Sequence, residues 1–183
     1  MRAHPCLLRF LRRTGALLAA GLLLIGCTGP QPLPAPASAD SALLYGALLA
    51  PRVDVRVVYL HEPGRRYLIP LNNPKATADA GGRFVLPNAA PGRYYLAGFS
   101  DGTTNYSLSL RSGHTGAVQV EAGEAAYVGS WQAQPAGGDW SSGEFELVPA
   151  ATPTQAELVE QLRARADFTA WMPALERSLR QER

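Results

Sequence analysis

Between Ser41 and Val148 the chain is a succession of short apolar or alternating runs cut by turn residues, the spacing of an all-β domain. Val53, Val55, Val57 and Tyr59 alternate with Asp54 and Arg56. Tyr106, Leu108 and Leu110 alternate with Ser107 and Ser109, and Phe145 and Leu147 with Glu144 and Glu146. Each run offers one face to a core, because successive strand side chains point to opposite sides. Further strands are predicted over residues 42–49, 66–71, 83–86, 93–99, 117–121 and 125–132. Turn chemistry separates them at Pro63-Gly64, Asn72-Asn73-Pro74, Gly81-Gly82, Pro91-Gly92, Asp101-Gly102 and Ala122-Gly123. A mostly β fold is expected: one Greek-key-type β-sandwich of seven to nine strands over residues 41–149.

Residues 150–183 change period. Thr154-x-x-Glu157 is a capping box, and Leu158, Leu162 and Ala166 follow at helical spacing, predicting a helix over 155–166. Residues 167–171 break it, and Pro173 opens a second short helix carrying Leu175 and Leu179. This C-terminal helical arm needs an apolar surface, and Leu158, Leu162, Trp171 and Leu175 are expected to cover one face or end of the sandwich.

Asp79 to Phe99 reads DAGGRFVLPNAAPGRYYLAGF. It resembles the carboxypeptidase regulatory-like, transthyretin (prealbumin)-type β-sandwich repeat, in which a strand ending Gly-x-Phe leads through an Asn-containing loop into Pro-Gly-x-Tyr and the next strand. The matching residues are Gly82-Arg83-Phe84, Asn88 and Pro91-Gly92-Arg93-Tyr94. Pro91-Gly92 is expected to make a tight turn that returns Tyr94 to Phe99 as a half-buried partner strand. The resemblance implies a non-catalytic accessory module of secreted and envelope proteins and names no ligand.

The N-terminus carries a different signal. Arg2, Arg9, Arg12 and Arg13 precede an apolar run from Gly15 to Ile25, and Leu24-Ile25-Gly26-Cys27 closes it. The three zones are those of a secretion signal, and the last four residues resemble a bacterial lipobox. The run is shorter than the ~20 apolar residues of a membrane-spanning helix. The resemblance implies cleavage of residues 1–26 and acylation of Cys27 by diacylglycerol and a palmitate-type chain. At about 0.8 kcal/mol per buried methylene, two chains suffice to hold a protein on a membrane. Thr28, where Asp would favour inner-membrane retention, points to the outer membrane, facing the periplasm.

Loss of the four signal arginines leaves thirteen basic against fifteen acidic residues, a formal charge of −2 in place of +2. No nucleic-acid partner is therefore expected. Cys6 leaves with the signal and Cys27 is acylated, so neither a disulfide nor a thiolate metal site is expected. Residues 27–40 include TGPQPLPAPASAD, a Pro-rich tether whose thirteen residues span up to about 40 Å as polyproline II.

Signs of catalysis are sparse. The mature chain holds His61 and His114, both in turn or loop contexts. His61-Glu62-Pro63-Gly64 lacks the His-x-x-x-His spacing of a helical zinc site, and no Gly-x-Ser-x-Gly elbow or phosphate-binding Gly-rich loop is present. Neither cofactor nor metal is expected. Aromatic residues are the lead for binding: Tyr94 and Tyr95 fall on opposite faces of a strand, and Trp140 lies in a Gly-rich loop read as exposed. The expectation is a non-catalytic binding or assembly module, membrane-held through Cys27, with an envelope protein or a glycan as partner. The alternatives are an envelope hydrolase or metal-dependent enzyme using His61 and Glu62, and a purely structural subunit of an envelope complex.

Overall fold

A computed structural model describes residues 32–61, 73–109 and 116–181. The described residues hold nine strands: β1 (Ala42–Leu49), β2 (Val57–His61), β3 (Lys75–Ala78), β4 (Arg83–Ala89), β5 (Gly92–Ser100), β6 (Asn105–Leu108), β7 (Val118–Val120), β8 (Ala125–Pro135) and β9 (Glu144–Pro149). Two helices, α1 (Gln155–Arg163) and α2 (Met172–Gln181), follow, with a 3₁₀ turn over Ala166–Trp171 between them. Lys75–Ala78 was absent from the sequence expectation: its four residues carry no large apolar side chain to mark an inward face. The strand predicted over 66–71 lies outside the described residues.

Hydrogen bonding joins the strands in one mixed sheet in the order β2-β3-β4-β1-β8-β9-β6-β5-β7. β2 also pairs with β5, so eight strands close into a ring and β7 extends the start of β5. β1–β8 and β6–β9 are parallel; the remaining pairs are antiparallel. The expectation that β5 returns as a partner of β4 is corrected. β4 pairs with β1 and β3, whereas β5 pairs with β2, β6 and β7. Ala90-Pro91 is thus an arch across the core, and Phe84 on one side shares a cluster with Tyr94, Leu96 and Phe99 on the other.

Bulges tune which side chains point inward. In β8, Ala126 and Val128 join the ring's core, but Trp131 and Ala133 do so further along, a change from even to odd positions. The β1–β8 register slips there, with Tyr45 opposite Tyr127 but Gly46 opposite Gly129. β5 makes the same change between Leu96 and Phe99, where Gly98 faces Tyr59 and Leu96 faces Leu60. One extra residue bends the strand and moves the following residues to the other face, the device by which closed sheets turn corners.

β1 (ALLYGALL) is buried along seven of its eight residues, because both of its faces are covered. Ala42, Leu44 and Leu48 face the ring's core. Leu43, Tyr45 and Ala47 face a second core with Ala125, Leu158, Val159, Leu162, Phe168, Trp171 and Leu175, so the helical arm lies over the β1–β8 face as expected. A buried polar clasp seats the arm: Gln155 Nε2 donates to Tyr45 Oη at 3.0 Å, which lies 3.2 Å from Ser178 Oγ. The capping box forms as read, Thr154 Oγ1 accepting from the Glu157 amide and Glu157 accepting from the Thr154 amide.

Candidate functional site: a docked linker and the cavity beside it

The end of the Pro-rich segment is bound to the domain, which shortens the expected free tether. The Leu33 amide donates to Asp167 Oδ2 at 2.9 Å, and Trp171 Nε1 donates to the Pro34 carbonyl at 2.9 Å. Asn88 grips Ala35 and Ala37 through one amide: its Oδ1 accepts from the Ala37 amide at 2.7 Å, and its Nδ2 donates to the Ala35 carbonyl at 3.2 Å. The Leu33 side chain packs on the second core. Backbone groups at residues 33, 34, 35 and 37 therefore all find partners, which strips this stretch of polyproline freedom.

Asn88 can clamp the linker because of its backbone. It sits at an irregularity where Ala89 faces Ala42 but Leu86 faces Leu44, with φ of 57°. Asn is among the few non-glycine residues that enter this left-handed region readily. The sequence placed Asn88 in a loop of the resembled motif; it is instead a bulge residue of β4 whose amide mimics a strand partner for the linker.

Asp167 is the electrostatic pin. Arg165 donates to both of its oxygens, Nε to Oδ1 at 3.1 Å and Nη2 to Oδ2 at 2.8 Å. Those hydrogen bonds foremost, aided by the Leu33 amide, hold the carboxyl below the usual range. A depressed folded pKa gives stability that is present above the ordinary value and lost as pH falls through the folded one. Followed by NMR from about pH 6 to about pH 2, the Leu33 amide shift is expected to stay constant until pH falls below the ordinary 3.8 and then move. A midpoint at or above 3.8 contradicts the pinning.

Beyond Leu33, between the outer face of β1–β4 and α1, lies a cavity of about 170 Å³. Its apolar lining is Tyr45, Phe84, Val85, Leu158 and Leu162, and its rim is Asp79, Arg83, Gln161 and Arg165. Arg83 donates Nε to Asp79 Oδ2 and Nη1 to Gln161 Oε1, each at 2.6 Å, which ties β4 to α1. A second, more open cavity of about 350 Å³ lies at the far end of β1, among Leu48 to Val55, Gly81, Gly82 and Gln132. Its carboxylate, Asp54, is engaged by Arg56 at 3.2 Å.

The aromatic residues singled out from the sequence do not make a common surface. Tyr94 is only 2% exposed, and its hydroxyl donates to the Ala90 carbonyl at 2.8 Å, so it belongs to the core. Tyr95 points to the opposite face and is half-buried; burial raises its phenol pKa. Trp140 occupies a 3₁₀ turn rather than an open loop. Its ring stands edge-on to Phe99 and Tyr106, at centroid distances of 5.9 and 5.3 Å, and its indole N–H donates to the Pro51 carbonyl. It plugs the end of the core where exposure was expected.

Leu24 to Cys27, Glu62, His114 and the side chain of His61 lie outside the described residues; the His61 backbone pairs with Tyr95. Among the described residues, no three His, Cys, Asp or Glu side chains converge as a metal site, and no helix is long and apolar enough to cross a membrane. Comparison with protein families, curated proteins and solved structures finds no match to the chain.

Proposed function

We propose that the protein is a lipid-anchored envelope protein whose β domain is a non-catalytic binding or assembly module, acylated on Cys27 and facing the periplasm from the outer membrane. The observation that carries this reading is the pairing of Leu24-Ile25-Gly26-Cys27 with a linker docked from Leu33 onward. Five residues separate Cys27 from Leu33, so the six Cα–Cα steps between them reach at most about 20 Å. Such an anchor would hold the Asp167 end of the arm near the membrane and leave the opposite end for partners.

A relation to the carboxypeptidase regulatory-like sandwich belongs to the same proposal. Its support is local: Gly82-Arg83-Phe84 opens β4, Tyr94 lies in β5, and the Ala90-Pro91 arch joins strands that pair with different neighbours, as inter-sheet arches do in a sandwich.

In-cell crosslinking of the tagged protein, with Cys27→Ala as control, tests the module. One abundant envelope protein captured by the wild type and lost in the control is the expected result. Substrate turnover that depends on His61 or His114 overturns it.

A further inference from the structure

The rim of the 170 Å³ cavity is unevenly satisfied. Asp79 Oδ1 accepts from the Gly81 and Arg83 amides at 2.9 and 3.1 Å, and Oδ2 takes Arg83 Nε. Asp167, which holds Arg165, has both oxygens engaged as well. The carboxylates around the site are filled. The guanidiniums are not: each carries five N–H donors. Arg83 uses Nε and Nη1, and Arg165 uses Nε and Nη2, which leaves three donors on each. Asp79 and Asp167 also hold both cations in place, so a ligand need not order them.

Below these donors the wall is apolar, formed by the outward side chains of Tyr45, Val85, Leu158 and Leu162. The volume decides the size of guest. An apolar cavity of about 150 Å³ accepts a six-carbon ring, and this one is close to it at about 170 Å³. A free inorganic anion would leave the apolar wall uncovered, and a neutral hydrocarbon would leave the spare donors of the partly exposed Arg83 and Arg165 to water, gaining nothing from them.

We propose that this cavity binds a small anionic amphiphile, with its carboxylate between Arg83 and Arg165 and an apolar body of about six carbons against Tyr45, Val85, Leu158 and Leu162. Selectivity follows from the same parts. A planar carboxylate matches the fork of a guanidinium, an ammonium head is repelled, and an alcohol forfeits the charge. The proposal rests on the domain being a binding module, and its failure is separable from the failure of that reading, since crosslinking reports on protein partners whether or not this cavity fills.

The test is a titration of the methyl-labelled full chain, as isolated from cells and held in nanodiscs if acylated, with sodium hexanoate. Hexylamine and 1-hexanol serve as controls. Saturable shifts of the Val85, Leu158 and Leu162 methyls are expected with hexanoate, at an affinity at least about tenfold above either control. Arg83→Gln and Arg165→Gln are each expected to weaken hexanoate about tenfold, and the double variant to abolish the shifts. An unchanged Leu175 methyl shift shows that the arm of each variant is still seated. Equal response to all three probes, no response to hexanoate, or hexanoate shifts indifferent to both arginines overturns the proposal.

Discussion

Replacing Trp171 with alanine is expected to destabilise the domain by about 3–5 kcal/mol, the range for truncating a large buried aromatic. Trp171 is 1% exposed and sits with Phe168 and Leu175 in the core between the arm and the β1–β8 face. Its indole also holds the Pro34 carbonyl, so the variant loses a core side chain and a linker fastening together. Trp171→Phe separates the two: much of the packing stays, and the lost hydrogen bond is expected to cost about 1 kcal/mol together with early proteolysis within residues 33–38. Urea unfolding measures both. A fall in midpoint at unchanged slope is the expected signature. A loss below about 1 kcal/mol for the alanine variant would mean that the arm is not part of the cooperative unit.

The second large effect is at Gly82. Its φ is +71°, and an added Cβ would lie 2.2 Å from the Leu48 carbonyl oxygen. Neither backbone can retreat, because the Leu48 amide donates to the Gly82 carbonyl at 2.8 Å. Gly82→Ala therefore combines a left-handed backbone, worth roughly 1–2 kcal/mol, with a main-chain collision, for an expected loss of about 3 kcal/mol or more. Gly138 is the internal control. It has a φ of +89° with nothing within 4 Å, so Gly138→Ala should show the backbone penalty alone. Equal losses at the two positions would contradict the close approach of β1 and β4. The collision also gives a physical reason for the glycine of the Gly-x-Phe motif.

How much of this was legible depended on range. Phe145 and Leu147 alternate cleanly, and the strand over Glu144–Pro149 follows from them. β1 was legible as an unbroken apolar run because both of its faces are buried, and the capping box at Thr154 marked the start of α1. Period-two reading fails where a bulge intervenes: no local pattern says that the inward positions change after Val128 or between Leu96 and Phe99. The candidate site was least legible. Leu33 and Asp167 meet across 134 residues and Arg83 and Gln161 across 78, so neither the linker dock nor the cavity rim has a local signature. The αL-tolerant side chain of Asn88, flanked by Pro87 in a strand, was the one available hint. Trp140 was read as exposed from its glycine neighbours, whereas contacts with Pro51, Phe99 and Tyr106, all distant in sequence, decide its place.

The proposed acylation of Cys27, close ahead of the docked linker, is measured by growing cells with an alkyne-bearing palmitate analogue and determining the label and intact mass of the tagged protein. The expected product is a chain beginning at Cys27, with label and mass for two or three acyl chains in the membrane fraction and none on Cys27→Ala. An unlabelled protein of full length, or one cleaved elsewhere and free of the membrane, would contradict it.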